Sequence, residues 1–345
     1  MLYTTLPNTD LKISKLCLGT MTWGQQNTEE EGHAQIKFAL EKGVNFMDCA
    51  EMYPVPARAA TQGRTETIIG NWFAKNKKRE EVILASKIAG PSRSMDHIRE
   101  PLNFGKDALA DAINKSLKRL QTDYIDLYQL HWPERNANYF GQRDYTHQAD
   151  EAWDDNFSEI LLHLESFVKE GKIRHIGLSN ETPYGVMRFV EEARLGKMKI
   201  STVQNPYNLL NRKDEIGLTE ILHRENIGYL PYSPLAFGQL TGKYLDGKKP
   251  ENARITLFPQ YSRYNSKNSL QAIEQYNAIA KIHNLSLTHL TLAFIRQQPF
   301  VTAPIIGATT ITQLSENIES ANVTLSKEVL KEINAIHAQI PNPAP

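Results

Sequence analysis

The chain has 345 residues, more than an average domain but within the span of one α/β barrel with insertions. Its 39 Lys and Arg balance 39 Asp and Glu, so overall charge offers no pull toward nucleic acid or an anionic membrane, and a small molecule is the expected partner. Cys17 and Cys49 have no Cys-x-x-Cys spacing, which argues against a disulfide framework or a zinc site and fits two small core residues in a reducing compartment.

The first stretch, YTTLPNTDLKIS, alternates about a turn-forming Pro7-Asn8-Thr9-Asp10 and predicts a hairpin over residues 1–15 that plugs the N-terminal mouth of a barrel. It lacks the basic start and apolar run of a leader, and no window nears the roughly 20 apolar residues of a membrane span, so a cytoplasmic protein is expected. Short apolar runs then alternate with longer segments. LCLGT (16–20), VNFMD (44–48), VILASK (82–87), YIDLYQLH (124–131), IRHIGLSN (173–180), TVQNPY (202–207), IGYLPYS (227–233) and VTAPIIG (301–307) are candidate strands. Between them, HAQIKFALEKG, TETIIGNWFAKN, GKDALADAINKSLKRLQ, FSEILLHLESFVKEGK, YGVMRFVEEARLG, DEIGLTEILHREN and SLQAIEQYNAIAKIHN carry apolar residues at three- and four-residue steps, the helical period. Near-continuously apolar strands in this rhythm imply a parallel sheet covered on both faces, and eight such units close a (β/α)8 TIM barrel. TLSKEVLKEINAIHAQIPNPAP starts with Ser326-x-x-Val329, a cap pattern without the Glu of a full capping box, and predicts one extra helix and a mobile proline-rich tail over 326–345. No low-complexity linker divides the chain, so a single domain over 1–345 is expected.

Barrel enzymes place their sites at the C-terminal strand ends, where the loops after Tyr53, Lys87, His131 and Ser233 are longer than usual for such connections. Asp48, Lys87 and His131 close three consecutive candidate strands, and Tyr53 follows Asp48 by one short loop. Each alone has a plain structural reading: a turn cap, a snorkelling charge, a satisfied core histidine, a packing tyrosine. Convergence of all four on adjacent strand ends points to chemistry instead. An ammonium beside a phenol favours the phenolate, so Lys87 is expected to lower the Tyr53 pKa while Asp48 keeps the lysine charged. A neutral His131 can donate to a carbonyl oxygen that Tyr53 then protonates as hydride reaches carbon, which reads as carbonyl reduction. Trp23, Tyr53, Trp132 and Phe237 supply aromatic surface for such a substrate, with His131 among them. Arg58, Arg64, Arg135 and Arg143 in the inserts read first as a solvated rim, with a charged substrate tail as the other possibility. No metal motif is present.

The words LCLGTMTWG, FMDCAEMY, LASK, DLYQLHWP, IGLSN, VQNPYN, YSPLAFGQLTGKY and GATTITQLSENI run the length of the chain. Through them it resembles the aldo-keto reductase family, most closely the bacterial Tas-type branch, which is related to the potassium-channel β-subunit branch. The resemblance implies a catalytic tetrad of Asp48, Tyr53, Lys87 and His131, with Tyr53 as proton donor. It implies that Ser179, Asn180 and Gln204 hold a nicotinamide amide and that Tyr232 stacks on the ring. Gly19, Thr20, Met21 and Asp48 are further implied cofactor contacts. The segment after the seventh strand becomes a belt over the cofactor, with Ser233, Pro234, Leu235, Gly238 and Leu240 along a pyrophosphate and Lys243 countering its charge. Gly307, Thr309, Gln313, Glu316 and Asn317 fall to the adenosine half. Arg254 suits a ribose 2′-phosphate, because a guanidinium holds phosphate with two hydrogen bonds, and with Lys243 it favours NADPH/NADP over NADH. Two rivals stand beside an NADPH-dependent reductase of small aldehydes or ketones. One is a class I aldolase with Lys87 as Schiff-base nucleophile, which an Asp48 ion pair would oppose; the other is an NADPH-binding redox-sensing regulatory subunit with little turnover. No partner protein is implied by the sequence.

Overall fold

In chain order the structure runs β1 (Tyr3–Thr5), β2 (Lys12–Ser14), β3 (Cys17–Gly19), α1 (Glu29–Glu41), β4 (Phe46–Asp48), α2 (Arg64–Asn76), β5 (Ile83–Ile88) and α3 (Lys106–Leu120). It continues with β6 (Ile125–Leu130), α4 (Phe157–Lys169), β7 (Ile173–Ser179), α5 (Pro183–Gly196), β8 (Ile200–Gln204), α6 (Leu218–Arg224) and β9 (Gly228–Tyr229). The last third holds α7 (Arg254–Leu257), α8 (Lys267–Ile282), α9 (Leu287–Gln297), β10 (Ile305–Ile306), α10 (Ile311–Glu319) and α11 (Lys327–Gln339). This is a computed structural model, and it describes residues 1–92, 94–196 and 198–344.

The eight strands from β3 to β10 pair in parallel in the order β10-β3-β4-β5-β6-β7-β8-β9. The ring closes between β9 and β10 through a thin seam: Tyr229 bridges Val301, Thr302 N donates to Tyr229 O at 2.9 Å, and Ile305 N donates to Pro231 O at 2.8 Å. Strand-helix alternation thus yields the expected (β/α)8 barrel. β1 and β2 form the expected antiparallel hairpin. Leu6, Leu11 and Ile13 from it join Cys17, Phe46, Ala85, Leu127 and Leu230 in one buried cluster at the N-terminal end of the barrel interior. That plug removes apolar surface from water at the mouth opposite the long loops.

Several helix starts carry side-chain caps. Thr28 and Glu31 form a complete capping box on α1, and Ser326 accepts from Val329 N at 3.3 Å, as the cap pattern before α11 predicts. The end of the chain departs from expectation. Instead of a mobile tail, Ala344 is buried with its N–H on Leu210 O at 3.1 Å, Pro343 O accepts from Ser266 and Ser269, and Asn342 Oδ1 accepts from Arg212 N at 2.6 Å. Prolines restrict the free chain, so docking this segment costs little backbone entropy. Pro345 lies outside the described residues.

Candidate active site

Strand alternation builds the site before any loop contributes. Phe46 and Asp48 share a face of β4, Ala85 and Lys87 of β5, Leu127 and Gln129 of β6. The first member of each pair meets the hairpin plug, so the second faces the other way along the barrel interior, toward the mouth. Register then sets Gly19 opposite Asp48, Lys87 opposite Gln129 and Ser179 opposite Gln204.

These residues share one buried hydrogen-bond network. Lys87 Nζ donates to Asp48 Oδ2 and to Cys49 O, each at 2.7 Å, and stands 3.5 Å from Tyr53 Oη. Asp48 Oδ1 accepts from Gln204 Nε2 at 2.8 Å and Gln129 Nε2 at 3.3 Å, while Gln204 Nε2 also reaches Gln129 Oε1 at 3.1 Å. Thr20 Oγ1 fixes the Asp48 carbonyl at 2.8 Å. Room for this crossing comes from Gly177, where a Cβ would fall 2.2 Å from Thr202 Oγ1 and 3.2 Å from Gln129 Cγ. Burial alone would push the Lys87 ammonium down, but Asp48 and Tyr53 outweigh it and hold the pKa above the ordinary lysine range. An amine so paired is no nucleophile, which removes the support for a Schiff-base aldolase.

Tyr53 differs from the expectation. Burial raises its phenol pKa by more than Lys87 lowers it, with Asp48 adding to the rise, so the hydroxyl keeps its proton. Its ring lies 5.8 Å from that of His131 at 72°, and the Lys87 ammonium sits 4.9 Å from its centroid. Burial first, and Lys87 second, hold His131 well below the ordinary histidine value, so the imidazole is neutral. Its Nδ1 is buried without a hydrogen-bond partner among the described residues. Trp132 packs 5.0 Å from His131, its Nε1 donating to Pro91 O at 3.0 Å, and Phe140 completes the wall at 5.3 Å from Trp132. Trp23 does not join this wall: its ring is fully buried against Gly32 of α1, and its Nε1 donates to Gln35 at 3.3 Å. Met21 packs with Tyr53 and Trp132 in one apolar cluster.

On the far side, Asn180 has positive φ (53°) and its amide is engaged at both ends: Nδ2 donates to His131 O (2.8 Å) and Ser179 Oγ (3.2 Å), and Oδ1 accepts from Tyr232 Oη (2.6 Å). Ser179 Oγ donates to Gln204 O at 2.8 Å. Gln204 Oε1 accepts no hydrogen bond among the described residues. After β9 the backbone is strained, with Ser233 (φ 52°), Ala236 (48°) and Phe237 (56°) in the left-handed region, where side chains are costly and functional loops concentrate. Gly238 (φ 94°) provides the seat for Lys243, whose Cε would lie 2.6 Å from a Cβ there. Arg254 lies over the Phe237 ring at 5.3 Å. Neither Lys243 nor Arg254 has a carboxylate partner among the described residues, and burial followed by mutual repulsion lowers the Lys243 pKa, while burial lowers that of Arg254. Pro234 and Leu240 are buried, Leu240 in the main core, and Leu235 packs at its edge.

Beyond β10, Thr309 N and Oγ1 both donate to Gln313 Oε1 (3.1 and 3.2 Å), and Asn317 Nδ2 donates to Gly307 O at 3.1 Å. Glu316 accepts from Ser286 Oγ at 2.9 Å. Two residues found here escape a reading by strand ends and motifs. Gln129 bridges Asp48 and Gln204, and its signal is a lone amide at an inward position of an apolar strand; Phe140 lies in an insert with no periodicity to flag it. Among the described residues no group of three or more His, Cys, Asp or Glu could hold a metal ion, and no helix is long and apolar enough to cross a membrane.

Comparison with known proteins points the same way. The model of the Aldo/keto reductase family matches residues 15–338. The chain is 48% identical to Protein tas of Escherichia coli (strain K12) over 100% of both sequences. It is 33% identical to the Bacillus subtilis "Uncharacterized oxidoreductase YrpG", covering 97% of this chain and 96% of that one. The Schizosaccharomyces pombe aldo-keto reductase yakc, whose name carries NADP(+), is 29% identical over 92% of this chain and 85% of its own.

Proposed function

We propose, from the premise that this chain belongs to the aldo/keto reductase family and is an oxidoreductase, that it reduces aldehydes or ketones to alcohols with NADPH, Tyr53 acting as general acid. The buried Asp48–Lys87–Tyr53 arrangement carries the reading. Lys87, held charged by Asp48, faces a hydroxyl that burial keeps protonated. A proton leaving Tyr53 Oη would leave a phenolate beside that ammonium, so the ion pair favours the transfer when it is needed. Neutral His131, beside Tyr53, would orient the carbonyl oxygen and donate to it. Tyr53, His131, Trp132 and Phe140 exclude water from one side.

The residues present suit a nicotinamide dinucleotide. Gln204 Oε1 is an unengaged acceptor beside Ser179 and Asp48, Tyr232 offers a ring at the same end, and the belt from Ser233 to Gly238 leads to the two unpaired cations. Lys243 and Arg254 would hold phosphate, Arg254 with its fork, and their pairing supports NADPH over NADH. Gly307, Thr309, Gln313, Glu316 and Asn317 would line the adenosine half. When bound, the cofactor supplies the hydride. Asn180 acts within the protein, tying His131 to Tyr232.

The test is oxidation of NADPH by neutral aromatic and aliphatic aldehydes, with Tyr53→Phe alongside. Turnover lost in the variant while NADPH binding persists is the expected result. Tight NADPH binding with negligible turnover by the unaltered protein would defeat the reductase reading and favour a redox-sensing subunit.

A further inference from the structure

Next to the mouth lies a cavity of about 320 Å³, ordinary in size for a small-molecule site. It begins where the active site ends. Phe140, whose ring stands 6.5 Å from that of His131, lines it, and so does Asn180, which holds the His131 carbonyl. Its lining carries two cations and two carboxylates, with no ion pair between them among the described residues. Lys213 and Arg143 both line it, and neither forms an ion pair among the described residues; Arg143 only donates to Asn342 O at 3.0 Å. Two carboxylates also border it but are turned to other partners. Asp214 accepts from Asn205 Nδ2 at 3.0 Å and Tyr229 Oη at 2.7 Å, and Glu181 is bound by Arg135 through both oxygens. A third cation, Arg263, stands behind the wall at Gly141, with a buried Nη1 that has no hydrogen-bond partner among the described residues. The amide end of α5, at Thr182 and Pro183, adds positive potential. Burial holds the Lys213 ammonium below its ordinary pKa; Asp214 raises it, and Arg263 and Arg143 act against Asp214.

We propose that this cavity is a carboxylate subsite, and that the substrates of the site are carbonyl compounds carrying a carboxylate at the end remote from the carbonyl, held by Lys213 and Arg143. The inference rests on the reductase reading for the word substrate, and on geometry alone for the anion site. Arg143, by sequence a member of a solvated rim, thereby becomes part of substrate selection.

The experiment compares para-carboxybenzaldehyde with benzaldehyde in kcat/KM, for the unaltered protein, Lys213→Met and Lys213→Arg. Calorimetric binding of para-(hydroxymethyl)benzoate and benzyl alcohol is measured in parallel. The unaltered protein should favour the carboxylate by about tenfold or more, the size of one charge-assisted contact. Lys213→Met should bring the ratio close to unity, and Lys213→Arg should keep most of it. Absence of any carboxylate preference, or a preference that survives Lys213→Met in both assays, overturns the subsite. Lys213-dependent benzoate binding without turnover of either aldehyde keeps the subsite and removes the reductase reading; turnover of both aldehydes without Lys213 dependence does the reverse.

Discussion

Two groups of cations face the same barrel mouth in opposite electrical states. Lys87, on the strand-end floor, has Asp48 at 2.7 Å and a pKa held up. Lys243 and Arg254, in the loop after β9, have each other, no carboxylate among the described residues, and pKa values pushed down. A cation paired within the chain is finished machinery, present whether or not a ligand is bound. A half-buried cation left unpaired contributes little to the stability of the empty protein and raises affinity for the anion that completes it. On the proposed reading the floor serves chemistry and the belt capture.

The largest effect should come from breaking the floor at its acid. Tyr53→Phe is expected to lower kcat by about a thousandfold, within the range of general acid catalysis, with NADPH affinity nearly intact by fluorescence titration. Lys87→Met strands the Asp48 carboxylate in the interior, and urea denaturation should show about 3–5 kcal/mol of lost stability along with lost turnover. The belt should respond with the other sign. Lys243→Met or Arg254→Met should weaken NADPH binding by about tenfold to a hundredfold, as loss of a charge-assisted phosphate contact would, while leaving the ligand-free protein as stable as before or more so. If either belt variant destabilises the free protein as Lys87→Met does, the distinction between floor and belt collapses.

A finer test uses pH. In the unfolded chain His131 takes up a proton near pH 6.5, whereas in the fold burial and Lys87 keep it neutral to well below that, so between those two values the unfolded state binds more protons. Stability from this group is therefore present above about pH 6.5 and declines as pH falls, by at most about 1.4 kcal/mol per pH unit. Denaturation midpoints from neutral to mildly acidic pH should show a slope that shrinks in His131→Gln. The smallest effect belongs to neither region: Ser326→Ala should cost about 1 kcal/mol through the α11 cap, with no change in kcat.

Much of this was legible in the residues. Strand-helix alternation delivered all eight barrel strands, the hairpin announced itself through Pro7-Asn8, and Asp48, Lys87 and His131 fall at strand ends because their runs stop there. α9 is harder to read: eight of its 11 residues are buried, Thr288 and Thr291 among them, so residue polarity does not report which side of it meets the core. At Tyr53 the sequence reveals the neighbouring charge but not the depth of burial that outweighs it. Trp23 looked like pocket wall by composition, yet the contact that decides its place is with Gly32 on α1. Proline and asparagine at the end of the tail resemble a free segment, and the anchors that hold it, Leu210, Arg212, Ser266 and Ser269, lie far away in sequence.

The thin seam between β9 and β10 has a kinetic consequence. Wide strand pairs such as β6 with β7 share long ladders, but the seam depends on a bridge at Tyr229 and a few amides from Thr302 to Ile305. Those amides should be the first of the barrel to trade their protons for deuterium, since few bonds must break together for them to open. The loops leaving β9 and β10 flank that seam, so a dinucleotide bound as proposed would act as a clasp, and the slowing of exchange at Thr302 and Ile305 on adding NADPH would report how firmly it closes.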